Sequence, residues 1–276
     1  MAHTHPFWLV LLFSYLRYFA YAGVAFLVFY IWRRKAWSTR KIQPRFPEKG
    51  AIRREVLYSL STALIFGTVI YSVLFSRLRR HTLIYRDLHA HTLWYFGLSV
   101  LAAIVLHDTY FYWTHRLMHH RRIFPYVHKV HHRSHNPTPW AAYAFHPLEA
   151  LVEVGIVPLM VVILPLHPLA LSAFGLYMIA MNVMGHLGYE LYPRAFMQNR
   201  VLRVVFNTST HHNMHHRYNK GNYGLYFNLW DRLMKTNHST YETTFLSITQ
   251  KTNVHEKDQP PHYGHAGHIP DGLGGV

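Results

Sequence analysis

The chain has no cysteine. That excludes a disulfide scaffold, a cysteine-ligated zinc finger, an iron–sulfur cluster and a thiolate nucleophile. Acidic residues are scarce: 12 Asp plus Glu stand against 28 Lys plus Arg, a formal charge of +16. Charged residues make up 14% of the 276 positions, against about 25% in a soluble domain, so a highly charged disordered chain is excluded too. There is no G-x-G-x-x-G after a strand pattern, hence no nicotinamide or flavin fingerprint. The His-Glu-x-x-His of a zinc protease is missing, as are the Glu-x-x-His pairs of a carboxylate di-iron bundle.

What the chain does have is apolar length. Phe7 to Ile31 is one run, broken only by Arg17, and Val56 to Phe75 is a second without charge. Leu93 to Leu106 continues through Thr109 to Trp113, with His107 and Asp108 near its end. Leu151 to Leu164 and Leu169 to Gly185 flank Pro165-Leu166-His167-Pro168 and read as a hairpin that dips through the bilayer. A span needs about 20 apolar residues, and the first two runs meet that length. Arg17 stands out, because a charge at mid-bilayer costs about 2.5–3.5 kcal/mol on insertion scales; a cavity beside it, or a span offset along the sequence, would relieve the cost.

The basic loop from Trp32 to Glu55 carries Arg33, Arg34, Lys35, Arg40, Lys41, Arg45, Lys49, Arg53 and Arg54, which places it in the cytoplasm. The loop from Ser76 to His91 then lies outside, against the pull of its four arginines. The segments from His115 onward are cytoplasmic, except the hairpin turn. A basic face also suits nucleic acid, but phosphate readers do not need these spans, so the charge is read as topology and anionic-lipid contact, with no nucleic-acid partner. The expectation is an all-α membrane protein with about four to five transmembrane or re-entrant helices and a cytoplasmic histidine-rich helical cap. Residues 1–106 form the spans and basic loop. Residues 107–240 form a histidine-rich domain, including the hairpin 148–185. The tail 241–276 is expected to be largely disordered, above all from Lys251, where His, Pro and Gly replace apolar periodicity.

Histidine is the chain's surplus, 25 residues in all. Three segments carry helical ligand spacing: His115-Arg-Leu-Met-His119, His128-Lys-Val-His131-His132 and His212-Asn-Met-His215-His216. Positions i, i+3 and i+4 share a helix face, so each segment presents imidazoles in one direction. Neutral imidazole is the commonest protein ligand for first-row metals. Eight such residues are too many for one ion and suit two. An all-histidine dinuclear site with open positions favours iron and dioxygen, while spacing alone leaves copper and zinc open. Asp108 shares a helix face with His115 and His119 and is placed to orient a ligand ring; Glu190 and Asp231 are further candidates. Two other classes fit a histidine-rich membrane chain, a zinc-dependent hydrolase and a metal transporter. A transporter would carry ionisable groups within several spans, whereas these histidines lie almost wholly outside them.

Together the segments resemble the fatty acid hydroxylase/sterol desaturase superfamily of membrane di-iron oxidases. The resemblance is carried by His107-Asp-Thr-Tyr-Phe-Tyr-Trp-Thr-His115-Arg-Leu-Met-His119, His128-Lys-Val-His131-His132, Pro137-Thr-Pro139, Phe145-His146-Pro147-Leu148-Glu149, His186-Leu-Gly-Tyr-Glu190, His211-His212-Asn-Met-His215-His216, Gly221-Asn-Tyr-Gly224 and Leu229-Trp-Asp231-Arg232. The Pro-Thr-Pro and Phe-His-Pro elements are most similar to sterol C-5 desaturases; His186-Leu-Gly-Tyr-Glu190 is more similar to sterol C-4 methyl oxidases and bacterial members. The resemblance implies two ferrous ions held by His115, His119, His128, His131, His132, His186, His212, His215 and His216, with His211 as a further candidate. His107, His135 and His146 would be structural or supporting, and His120, far around its helix from His115, no ligand. It implies hydroxylation or desaturation of a sterol or fatty-acyl C–H bond with dioxygen. Electrons would come from cytochrome b5 in the endoplasmic reticulum of a eukaryote, or from a ferredoxin-type donor at a bacterial inner membrane, with the catalytic face cytoplasmic.

Overall fold

The structure is a computed structural model that describes residues 7–250. The regular structure of those residues is helical, with two isolated β-bridges in place of a sheet, Lys41 with Tyr189 and Phe206 with Phe227. Helix α1 spans Phe7–Phe26 and continues as a π-helical turn over Leu27–Trp32. Helix α2 spans Lys49–Phe75 and α3 spans Leu93–Met118. Two single turns follow, α4 Phe124–Val127 and α5 Lys129–His132. Then come α6 Pro147–Val154, α7 Ile156–Ile163 and α8 Pro168–Gly185. Short helices α9 Arg194–Gln198 and α10 Arg200–Val205 lead to α11 Ser209–Tyr218, α12 Leu229–Leu233 and α13 Tyr241–Gln250.

Four helices are long and apolar enough to cross a membrane: Phe7–Trp32, α2, α3 and α8. Helix α8 packs against both α1 and α3, and α2 lies along α1. Their outward positions stay apolar and uncovered; Leu16, Val24, Leu98 and Leu101 are each more than half exposed, as lipid-facing residues would be. Inside the bundle Tyr18 stacks on Tyr143 with ring centroids 4.2 Å apart, over Ala22, Phe66, Ile179 and Val183. The helix starts follow local chemistry. The Thr92 side chain accepts from the Tyr95 N–H ahead of α3, and His146 and His167 cap α6 and α8, each followed by proline.

The hairpin departs from expectation in its first arm, which breaks at Gly155 into two eight-residue helices, each too short to span. Pro158 has no N–H to offer the Val154 carbonyl. The Tyr110 hydroxyl donates to the Val152 carbonyl at 2.7 Å and ties the break to α3. A Cβ at Gly155 would lie 3.0 Å from that hydroxyl.

Two further differences concern boundaries. Helix α3 runs unbroken through residues 106 and 107, so the first histidine pair extends directly from a membrane span. Residues 241–250, assigned to a disordered tail, instead form α13, whose Tyr241 and Phe245 pack with Phe196, Met197 and Met214. The remainder of that tail, 251–276, lies outside the described residues.

Candidate metal centre

The three histidine segments arrive from different helices. His115 lies near the end of α3 and His119 caps it. His128 stands at the junction of α4 and α5, so the second segment is not one continuous helix, although the His132 N–H still donates to the His128 carbonyl at 3.3 Å. His212, His215 and His216 sit on α11, and His186 caps α8.

The structure brings all nine together, in two groups: His115, His119, His128, His132 and His215 form one, and His131, His186, His212 and His216 the other. The segments therefore do not each point one way. Every i, i+4 pair stays together, while His131 and His215 cross to the opposite group from their neighbours. Adjacent helical residues diverge by about 100°, which sends His131 and His132 to different groups.

Within each group the Nε2 atoms converge. In the first, His115 and His128 are 3.0 Å apart, His128 and His132 3.1 Å, His132 and His215 3.0 Å, and His119 and His215 3.1 Å. In the second, His186 lies 3.3 Å from His131, 3.0 Å from His212 and 3.1 Å from His216. Two nitrogens bound to one ion at about 2.1 Å and about 90° apart lie about 3.0 Å from each other, so the spacing is that of a coordination shell.

Partners on the opposite edge fix the tautomers of four rings, while Nδ1 of His131, His132, His212 and His216 is buried without a hydrogen-bond partner among the described residues. Nδ1–H of His115 donates to the Tyr223 carbonyl at 2.8 Å, that of His215 to the Gly221 carbonyl at 2.7 Å, and that of His186 to the Asn182 carbonyl at 2.8 Å. Nδ1 of His128 lies 2.7 Å from Glu149 Oε1. With the proton held on Nδ1, Nε2 carries a lone pair. Lone pairs facing one another at 3 Å repel unless a cation lies among them, and this donor set fits a metal ion in each group. Burial pushes the imidazoles of His128, His131, His132, His212, His215 and His216 well below the usual histidine range, and the crowding of neighbouring rings adds to it. All six are neutral at physiological pH and available as ligands.

The three sequence-predicted carboxylates do not all face imidazoles. Asp108 accepts from the backbone N–H groups of Tyr226 and Phe227 at 2.9 and 3.1 Å and tethers that loop to α3 without reaching a ring of either group. Glu190 accepts from the Thr210 N–H and hydroxyl at 2.9 and 2.7 Å, which anchors the first turn of α11. Asp231 accepts from the N–H groups of Tyr223 and Gly224 at 3.0 and 2.6 Å. It thereby fixes the loop whose carbonyls receive His115 and His215. His211 stays outside both groups, with Nε2 3.1 Å from Asn237 Oδ1 and 3.5 Å from Asp231. His107 Nδ1 is 2.7 Å from the Tyr226 hydroxyl, His146 caps α6, and His120 meets the Arg122 N–H; none joins a group.

Sequence reasoning passed over Glu149, the carboxylate in direct contact with a histidine of the centre. Its signal was the Phe-His-Pro-Leu-Glu element, 21 residues beyond His128, a separation at which spacing rules say nothing. Glu55, fully buried in α2, was also missed; it accepts from Thr138 Oγ1 at 2.5 Å and holds the Pro-Thr-Pro segment against the bundle.

A cavity of about 340 Å³ lies within the bundle, among residues of α1, α2, α3, α6, α7 and α8. Its walls are chiefly apolar. Two of them reach the histidines: the Phe111 ring is 4.9 Å from His115 in one group, and the Phe145 ring 5.1 Å from His131 in the other.

A helical membrane bundle that carries a buried polyhistidine centre above an apolar chamber defines the class of this protein. The fatty acid hydroxylase family model matches residues 100–236, the stretch that supplies every histidine of the centre. Lathosterol oxidase of Mus musculus is 30% identical over 187 residues, 67% of this chain and 60% of that protein. A Delta(7)-sterol 5(6)-desaturase of Gibberella zeae is 31% identical over 184 residues, 67% of this chain and 55% of that protein. Methylsterol monooxygenase 1 of Rattus norvegicus is 30% identical over 225 residues, 79% of this chain and 73% of that protein. The chain belongs to the fatty acid hydroxylase family. It spans less than two thirds of the length of the first two relatives. No solved structure matches it.

Proposed function

We propose that the chain is a membrane-bound, non-haem di-iron oxidoreductase that hydroxylates or desaturates a C–H bond of a sterol or fatty-acyl lipid. One observation carries this reading: nine imidazoles, eight of them buried and His119 half-buried, in groups of five and four, with Nε2 atoms converging at 3.0–3.3 Å. His115, His119, His128, His132 and His215 would hold one ion, and His131, His186, His212 and His216 the other. When bound, two ferrous ions would supply the activation of dioxygen that removes hydrogen from an unactivated carbon.

The rest of the work falls to this chain's own residues. Glu149 and the carbonyls of Tyr223, Gly221 and Asn182 hold four of the ligand rings, His128, His115, His215 and His186, in one tautomer and one orientation, so those donors are set before an ion arrives. Asp231 and Glu190 carry the loop and helix on which those rings depend. Phe111 and Phe145 present the chamber to both groups, and its apolar walls exclude water and position a lipid carbon beneath the histidines. With no cysteine and no dinucleotide motif, the electrons come from a separate carrier, cytochrome b5 or a ferredoxin, steered by the basic cytoplasmic face. That face and the histidine cap lie on the cytoplasmic side of the endoplasmic reticulum or of a bacterial inner membrane.

Elemental analysis tests the centre. Purified chain should carry close to two iron ions, and His131→Ala and His215→Ala should each lower the content through a different group and abolish turnover. Full occupancy and activity in both variants refutes the reading. Turnover under oxygen-18 gas tests the reaction: an alcohol product should carry the label. Label from water alone, or anaerobic activity, would point to hydrolysis.

A further inference from the structure

The chamber is apolar except for a few groups, and one of them is a permanent cation. Arg17 lies about halfway along α1, in a segment that crosses the membrane. Its guanidinium lines the chamber and sits over the Phe13 ring at 5.6 Å. Its Nε is buried with no hydrogen-bond partner among the described residues. No carboxylate of those residues lies within ion-pair distance of it. Guanidinium does not lose its proton in proteins, so neutralisation is not available as relief.

The opposite helix is cut to admit it. A Cβ at Gly175 of α8 would fall 2.6 Å from Arg17 Nη1. The head group therefore packs directly on the α8 backbone at Gly175, where a side chain would compete with it for space and displace it. Ser14, Ser172, Asn182, His107 and Glu153 line the same chamber, and Glu153, the carboxylate among them, makes no ion pair with Arg17.

We infer that Arg17 is the polar anchor of the chamber, and that the lipid held there carries a hydrogen-bond-accepting oxygen which meets this guanidinium. This rests on the reading of the chamber as the substrate site of the histidine centre. Gly175 and His186 are eleven residues apart on α8, about 16 Å at the helical rise. A lipid whose oxygen sits at Arg17 and whose body runs toward Phe111 and Phe145 presents to the centre a carbon well removed from its polar end. The recognised chemistry is an acceptor oxygen on an apolar body; a fatty carboxylate and a sterol hydroxyl are its two sources. Arg17 acts by positioning and selecting the lipid, not by touching the reacting carbon.

The test reads binding rather than turnover. Purified, metal-loaded full chain in nanodiscs is titrated with hexadecanoate, cholesterol and their oxygen-free counterparts, hexadecane and cholestane. Wild type should bind at least one oxygen-bearing lipid about tenfold tighter than its hydrocarbon. The pair showing the preference identifies the source. Arg17→Gln should cut that preference to roughly threefold or less while hydrocarbon affinity and metal content stay unchanged. Arg17→Lys should keep part of a preference for the carboxylate. Gly175→Ala crowds the guanidinium from the other side and should weaken the same preference, which serves if Arg17→Gln does not fold. The inference is overturned if wild type shows no preference for either oxygen-bearing lipid, or if the preference survives in Arg17→Gln or, where that variant does not fold, in Gly175→Ala. Metal content on the same samples separates the two readings, since a lipid preference lost with Arg17 in a chain that takes up no metal upholds the anchor and removes the di-iron centre.

Discussion

Replacing Glu149 should empty one half of the centre and leave the other. Its Oε1 lies 2.7 Å from His128 Nδ1, and both side chains are almost wholly buried. A hydrogen bond to a charged acceptor contributes about 1.5–3 kcal/mol. Loss of the partner of a ligand ring typically costs about 10–100-fold in metal affinity, and the two ranges agree, since tenfold is about 1.4 kcal/mol. Glu149→Ala removes the acceptor and leaves His128 Nδ1–H buried without one, so the ring is free to turn its Nε2 away from His115 and His132, which now lie 3.0 and 3.1 Å from it. Glu149→Gln keeps a carbonyl acceptor at nearly the same place and should lose less than about tenfold. The assay is iron affinity by chelator competition, with ions per chain read by elemental analysis. Glu149→Ala should retain the ion of the His131, His186, His212 and His216 group and weaken the other, so that content at limiting iron falls from about two toward one. Equal affinity in wild type and Glu149→Ala, or loss of both ions together, would refute the view that this carboxylate orients His128 alone.

Three further outcomes can be checked. Asp231→Ala frees the loop whose carbonyls receive His115 and His215 and should lower affinity in the same group as Glu149→Ala; Gly224→Ala, whose Cβ would lie 2.6 Å from the Phe227 carbonyl, should act alike when metal content is measured. Lys41 is buried, and burial lowers its pKa to about 8. The unfolded chain keeps that proton to a higher pH, so stability should rise between about pH 8 and 10, by on the order of 2 kcal/mol; in Lys41→Met that rise should vanish, as thermal unfolding in detergent at several pH values would reveal. Extraction should require detergent, because four apolar helices expose leucine and valine around the bundle; a chain released by carbonate washing alone would contradict the membrane assignment.

The spans, the polyhistidine character and the helical spacing of three segments were set by local sequence. Apolar length dictates a bilayer span regardless of what packs beside it, and a four-residue spacing puts two side chains on one helix face whatever the fold. His115 with His119, His128 with His132, and His212 with His216 each share a group for that reason. The assignment of the remaining three was decided by the tertiary structure. His131 and His215 cross between segments, and His186 enters from α8, because each helix presents its histidines at an angle set by the packing of α3, α5, α8 and α11. Glu149 and the carbonyls of Tyr223 and Gly221 become partners of the rings only when distant segments are folded against them. Asp108, on the same helical face as His115 by sequence, turns instead to the backbone of Tyr226 and Phe227, since those N–H groups are buried beside it and have to be satisfied. Likewise, the charge of Arg17 is written in the sequence, but only the packing of α8, with Gly175 against the head group, places it beside the chamber. Local spacing fixes directions along one helix; which directions meet is a property of the packed bundle.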